Sequence, residues 1–283
     1  YGVVQGSILG PILFNLFTND LHVHLSDKSK IVSYADDTVI IHSALPSDEG
    51  LTELKAIVEG DLANLATWFK NNGLKANPSK TEMSLFGTSS VIKKSSAFRV
   101  SFGEVSLAPA GQIRFLGVLL DQNLSMEKQT AAVVKRCFGI LVTLKKLSFT
   151  LPKSTLKTLV QTLVIPHLMY CLPAWAPPTA SMRHRVDNVI NFAARVVSKK
   201  RRYDHITDTR RQLGWLAFEQ MIRERDCLFV HRLVHCEEAP EPLKSLIEHR
   251  ADVSERTTRA SWSVLAGPRR SDRSGSGTVF PMS

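Results

Sequence analysis

Two adjacent carboxylates, Asp36 and Asp37, sit between two apolar runs, Ile31-Val32-Ser33-Tyr34-Ala35 and Thr38-Val39-Ile40-Ile41-His42. β-Branched and apolar residues on both sides of a short polar break predict a tight hairpin that carries the acids at its tip. Apolar density of this kind also predicts strands buried in a domain core. Two charges set between buried strands are costly unless something cationic meets them. A divalent ion is the natural counter-charge, because hard cations such as Mg²⁺ take carboxylate oxygens and leave room for phosphate oxygens. The dipeptide alone leaves a second reading open, a solvated Asp-Asp turn.

The elements that must hold this hairpin are legible on either side of it. Ser7 can cap a helix over Ile8, Leu9, Ile12, Leu13, Leu16 and Phe17, with Pro11 tolerable in the first turn. That helix is expected to pack under the hairpin. Downstream, Ser47 is a helix cap followed by Asp48 and Glu49, which complement the helix dipole. Leu51, Leu54, Ile57/Val58, Leu62, Leu65 and Trp68/Phe69 recur on one face until Asn72-Gly73 stops the helix.

Order and spacing add a resemblance. Tyr34-Ala35-Asp36-Asp37 is similar to the catalytic box of reverse transcriptases, and Gly2-Val3-Val4-Gln5-Gly6-Ser7-Ile8-Leu9-Gly10-Pro11 resembles the box just upstream in that family, with Val4 where the family usually has Pro. Gly73-Leu74-Lys75-Ala76-Asn77-Pro78-Ser79-Lys80 resembles the following box in non-LTR retrotransposon members, and Arg114-Phe115-Leu116-Gly117-Val118-Leu119-Leu120-Asp121 their palm-thumb junction. Residues 204 to 225 resemble the tail beyond the thumb. That tail disfavours a group II intron maturase, which shares the Tyr-Ala-Asp-Asp box.

The resemblance implies an α+β fold: the C-terminal part of a right-hand polymerase palm, with an antiparallel sheet and packing helices, and then an α-helical thumb. By position this gives a partial palm at 1–121, a basic thumb at 122–203 and a helical post-thumb segment at 204–253. It implies RNA-directed DNA polymerase chemistry on an RNA template, a DNA primer and a deoxynucleoside triphosphate. Asp36 and Asp37 would ligate Mg²⁺ or Mn²⁺, Tyr34 would wall the pocket, and Gln5, Gly6 and Ser7 would meet the nucleotide and template base. Lys80 would neutralise pyrophosphate or protonate it as it leaves, with a surface lysine beside a turn as the alternative. Phe115, Leu116 and Gly117 would grip the primer, and a buried strand with a structural glycine is the alternative there.

Family members draw another metal-bridging Asp from upstream of Gln5, and this chain opens inside a motif without an initiator Met. The expectation is therefore an N-terminally truncated fragment or a decayed copy, inactive alone because one hairpin compensates two cations poorly. A non-catalytic nucleic-acid-binding remnant is the reading from another class.

Charge placement points the same way. The net charge of +10 is concentrated in residues 128–211, which carry 16 Lys/Arg against 3 Asp/Glu, whereas residues 1–127 carry 10 against 13. Such a block is the footprint of a phosphate-backbone binder, with a merely solvated face as the alternative. Val133 to Leu147 alternates apolar residues with lysines and arginine, and the helix over 156–170 is expected to kink at Pro166. Lys199-Lys200-Arg201-Arg202 reads as a nuclear-import signal, a phosphate contact or a solvated helix end.

Met83–Phe86, Phe98–Phe102 and Val105–Leu107 read as short strands, and Arg114–Asp121 as a longer one. Cys227, His231, His235 and Cys236 lie at helical spacing, so zinc is one reading and a packed helix the other. Four scattered cysteines point to reduced thiols inside the cell, in part in the nucleus, and no secretion signal is evident. No run approaches the ~18 apolar residues of a membrane helix. Residues 254–283 are rich in Ser, Arg and Gly and are expected to be a disordered tail. Oligomeric state is not legible.

Overall fold

The computed structural model describes residues 6–245 and 247. Gln5 and the 254–283 tail lie outside the described residues. The chain divides into two compact units between Leu124 and Ser125, and each is taken by itself.

The first unit is mixed α+β. Helix α1 (Gly10–Phe17) precedes a short 3-10 turn (Leu21–His24), hairpin strands β1 (Lys30–Tyr34) and β2 (Asp37–Ile41), and the long helix α2 (Asp48–Asn71). There follow a 3-10 turn at Pro78–Lys80, α3 (Ser89–Lys94), and strands β3 (Val100–Phe102), β4 (Val105–Leu107), β5 (Gln112–Phe115) and β6 (Val118–Asp121). Among the described residues the strands form three separate two-stranded antiparallel sheets.

Helix α2 organises this unit. Its start is set as its sequence dictates, with the Ser47 hydroxyl accepting from the Gly50 amide at 3.0 Å. Gly50 is required there, since a Cβ would lie 2.4 Å from the Leu45 carbonyl oxygen. The helix ends at Asn72, and Gly73 takes φ +69°. Leu65 and Trp68 bury against Leu21, with Leu25, Ile31, Ile40 and Phe69 packed around them. Glu59 reaches the β3 backbone, accepting from the Ser101 amide at 2.8 Å.

Four expectations are corrected. The hairpin strands are not core strands: only the Ile31/Ile40 face meets α2, and on the opposite face Val32 (48% exposed) and Tyr34 (66%) are open. A two-stranded ribbon has two faces, and one helix covers one of them. Helix α1 forms with Pro11 in its first turn, but buries no residue, and Phe17 stands against Trp68 of α2 at 5.9 Å between ring centroids. Arg114–Asp121 is not one strand. It is a hairpin broken at Leu116-Gly117, both left-handed at φ +43° and +84°, which is the turn that antiparallel strands two residues apart require. Gly117 thus serves the turn. Met83–Phe86 contributes only an isolated bridge, Met83 to Pro109.

The second unit is helical: α4 (Glu127–Leu147), α5 (Lys153–Leu163), α6 (Ile165–Met169), α7 (Leu172–Trp175), α8 (Ala180–Ser198), α9 (Thr207–Leu213), α10 (Phe218–His235) and α11 (Glu241–Lys244). The expected kink is a full break between α5 and α6 at Val164, because Pro166 has no amide to continue the ladder. Helix α8 is central, capped by Thr179 and burying Val186, Val189, Ile190, Ala193 and Ala194 against its neighbours. Asp187 on α8 binds Arg210 of α9 at 3.0 Å and accepts from the Phe218 amide at the start of α10, so these three helices share one polar joint. Among the described residues no helix is long and apolar enough to cross a membrane.

Candidate active site

The acids stand where the hairpin turns. The strands pair Ile31 with Ile40, Val32 with Val39, Ser33 with Thr38 and Tyr34 with Asp37, leaving Ala35 and Asp36 as a two-residue turn. Ala35 takes φ +53°, a left-handed conformation that a side chain tolerates at a cost of about 1 kcal/mol. Alternation along the ribbon sends Asp37, Val39 and Ile41 to the face opposite Ile40. Asp37 therefore shares the uncovered face with Tyr34 and Val32. Both acids are exposed, and neither side chain takes a hydrogen bond or ion pair from a described residue. Adjacent, solvated carboxylates are hard oxygen donors of the type a divalent cation takes. Among the described residues they are not joined by a third His, Cys, Asp or Glu into a metal-holding group.

Other predicted residues are placed without contact to the acids. Gly6 sits at φ +83°, and Ser7 accepts from the Gly10 amide at 3.1 Å, so the serine does close the entry to α1. Lys80 ends the 3-10 turn that Asn77 caps, with its Asx side chain accepting from the Ser79 amide at 3.2 Å, and its ammonium is exposed. Phe115, Leu116 and Gly117 form the end of β5 and the β5–β6 turn. On α10, Cys227 is exposed and His231 and His235 stack at 4.5 Å. His231, His235 and Cys236 are exposed as well, and among the described residues no group of three or more His, Cys, Asp or Glu is placed to hold a metal.

The residue that sequence reasoning passed over is Asp61. It is 2% exposed on α2, and accepts from the Ser26 amide at 2.8 Å, from the Ser29 hydroxyl and from His42 Nε2 at 2.9 Å. Burial pushes its carboxyl up, but the hydrogen bonds from Ser29, His42 and Ser26 and the His42 charge outweigh that and hold it below its ordinary value. Since His42 directly follows β2, this carboxylate fastens the base of the acid-bearing hairpin to α2. The signal was present: Asp61 falls on the apolar stripe, seven residues from Leu54 and four from Leu65. A carboxylate in a core position predicts a buried partner.

Comparisons with known proteins agree on one class. Residues 1–120 match the family model described as reverse transcriptase (RNA-dependent DNA polymerase). Over those residues the chain is similar to reverse transcriptases. It is 27% identical over 241 residues to the probable RNA-directed DNA polymerase from transposon BS of Drosophila melanogaster, covering 82% of this chain and 26% of that protein. It is 26% identical over 208 residues to the probable RNA-directed DNA polymerase from transposon X-element of the same organism, covering 70% of this chain and 22% of that protein. With the RNA-directed DNA polymerase from mobile element jockey, identity is 27% over 136 residues, covering 45% and 14%. The chain therefore spans about a quarter of the length of the first two relatives. No solved structure matches.

Proposed function

We propose that this chain is the C-terminal part of a polymerase palm, residues 1–121, with a basic helical thumb after it, and that its parent protein copies an RNA template into DNA from a DNA primer. The observation that carries the reading is the Tyr34-Ala35-Asp36-Asp37 turn, which exposes two adjacent carboxylates within the segment that matches reverse transcriptases. Its parts act as follows. Asp36 and Asp37 hold the divalent ion, Mg²⁺ or Mn²⁺, which when bound offsets charge on phosphoryl oxygens and activates the primer hydroxyl. Tyr34, across the hairpin from Asp37, walls the nucleotide pocket. Gln5, Gly6 and Ser7 meet the nucleotide and template base, and the positive φ of Gly6 leaves its backbone open to close approach. The primer 3′-oxygen bonds to the α-phosphorus as the bond to pyrophosphate breaks. Lys80, an exposed cation, meets that pyrophosphate. Phe115, Leu116 and Gly117 hold the primer. The free cysteines and the basic second unit support action inside the cell, in part in the nucleus.

The test is primer extension on an RNA template with Mg²⁺, using this chain and the longer parent polypeptide. The reading requires extension by the parent that Asp36→Ala lowers by at least a hundredfold. Extension indifferent to Asp36→Ala overturns it, and silence in every protein favours the binding remnant.

A further inference from the structure

A concave surface of about 900 Å³ lies in the second unit where α4 and α8 end. Six cations line it: Lys145, Arg195, Lys199, Lys200, Arg201 and Arg202. No carboxylate lines it, and none of the six makes an ion pair among the described residues. Arg195 has a buried Nε–H without a partner, so its charge is incompletely met by protein. The loop that carries the other arginines is built rather than loose. The Arg201 amide donates to Asp204 Oδ2 at 2.7 Å, and Lys200 Nζ donates to the His205 carbonyl at 3.0 Å. Lys199 sits in the left-handed region at φ +58°, where glycine is favoured by about 1 kcal/mol, so a cation is kept where geometry prefers none.

Aromatic rings interleave with these charges. Phe149 is 86% exposed on the groove wall, and Phe192 in the same wall lies under the Lys145 ammonium at 5.8 Å. Tyr203, 90% exposed, follows directly, with the Arg202 guanidinium 5.7 Å from its ring centre. Cations alone would suit any anion. A solvated ring standing among them suits a planar base, and only a strand with unpaired bases presents one. A duplex keeps its base faces stacked inside and offers phosphates and groove edges, not a face for a ring to stack on.

We propose that this end of the helical unit is a groove for single-stranded nucleic acid, in which Phe149 stacks a base and the 199–202 loop follows the phosphates. The proposal rests on the nucleic-acid reading above but goes beyond it, since duplex holding requires no stacking platform.

Binding of the full chain to a fluorescent 12-nucleotide RNA, to DNA of the same sequence and to the corresponding duplex, measured by anisotropy across a salt series, tests it. Phe149→Ala is expected to weaken both single strands about tenfold, the loss of one stacked base, and to leave the duplex unchanged. Phe149→Trp should retain binding. Replacing Arg201 and Arg202 together with Ala should lower the salt slope for single strands by about 1.4, near 0.7 per phosphate contact. The RNA and DNA arms identify the sugar. Single-strand affinity unmoved by Phe149→Ala, or equal losses for strand and duplex, overturns the groove. So does an oligoglutamate peptide that competes equally well whatever residue stands at 149, which would assign the cations to an acidic protein. Primer extension reads the acids of the first unit and anisotropy at residue 149 reads the groove, so failure of the polymerase chemistry and failure of the groove are read separately.

Discussion

The two units solve the problem of burial in opposite ways. In the second, Leu141, Leu156, Val160, Leu168, Leu172, Trp175, Val186 and Ile190 are wholly buried, and one central helix meets partners on most sides. In the first, the acid-bearing hairpin has one covered face, and α1 leaves Ile8, Leu9, Ile12, Leu13 and Leu16 open. Chemistry is concentrated where packing is thin. The difference teaches that the second unit owes its order to its apolar core, whereas the hairpin is held by one apolar face, Ile31 and Ile40, and by polar attachments at its base, chiefly Asp61.

Substitutions can break this comparison at either end. The largest effect is expected from Trp175→Ala, which removes a fully buried ring whose Nε1 donates to the Tyr170 carbonyl at 2.7 Å. Chemical denaturation should show a loss of about 3–5 kcal/mol in the second unit. A loss under 1 kcal/mol would mean that the core is not what orders it. Next is Asp61→Ala, which strands the Ser26 amide, the Ser29 hydroxyl and His42 together. About 2–4 kcal/mol should be lost, with faster hydrogen exchange in residues 30–41. Exchange unchanged there would detach Asp61 from the hairpin.

Acid sharpens the same point. The Asp61 carboxyl is held below its ordinary value of 3.8, so the unfolded chain takes up its proton first as pH falls. Its stabilising contribution is present above pH 3.8 and disappears as pH falls through the lower folded value. Asp61→Asn should flatten that part of the stability profile, and an unaltered profile would exclude the carboxylate as its source. At the small end, Val32→Thr on the uncovered face should change stability by under about 0.5 kcal/mol. Thiol labelling separates core from surface in the second unit without mutation. Cys171, Cys227 and Cys236 are exposed and should alkylate in the native state, whereas Cys137, buried and with its thiol pushed up to about 12, should react only on unfolding.

Local physics made much of this readable beforehand. The β1–β2 turn, the Ser47 cap, the α2 stripe and its stop at Gly73 are each set by neighbours a few residues apart. Motif order marked Asp36 and Asp37 as a pair to watch. What escaped depends on distant partners. Apolar density in 31–41 cannot say how many faces are covered, and Met83–Phe86 has strand composition but pairs through a single bridge. Leu116-Gly117 is a hairpin turn without the usual Asn or Asp, so the run looked continuous. The partners of Asp61 became visible only when Ser26, Ser29 and His42, scattered over 17 positions of sequence, converged on it.

The fastening at His42 and the acids at the turn lie at opposite ends of β2, roughly 17 Å apart for five residues of strand. The ribbon is thus a cantilever, clamped at its root and loaded at its tip. Small rotations at the clamp are magnified at Asp36 and Asp37, so the stiffness of two paired strands sets how steadily the carboxylates are presented.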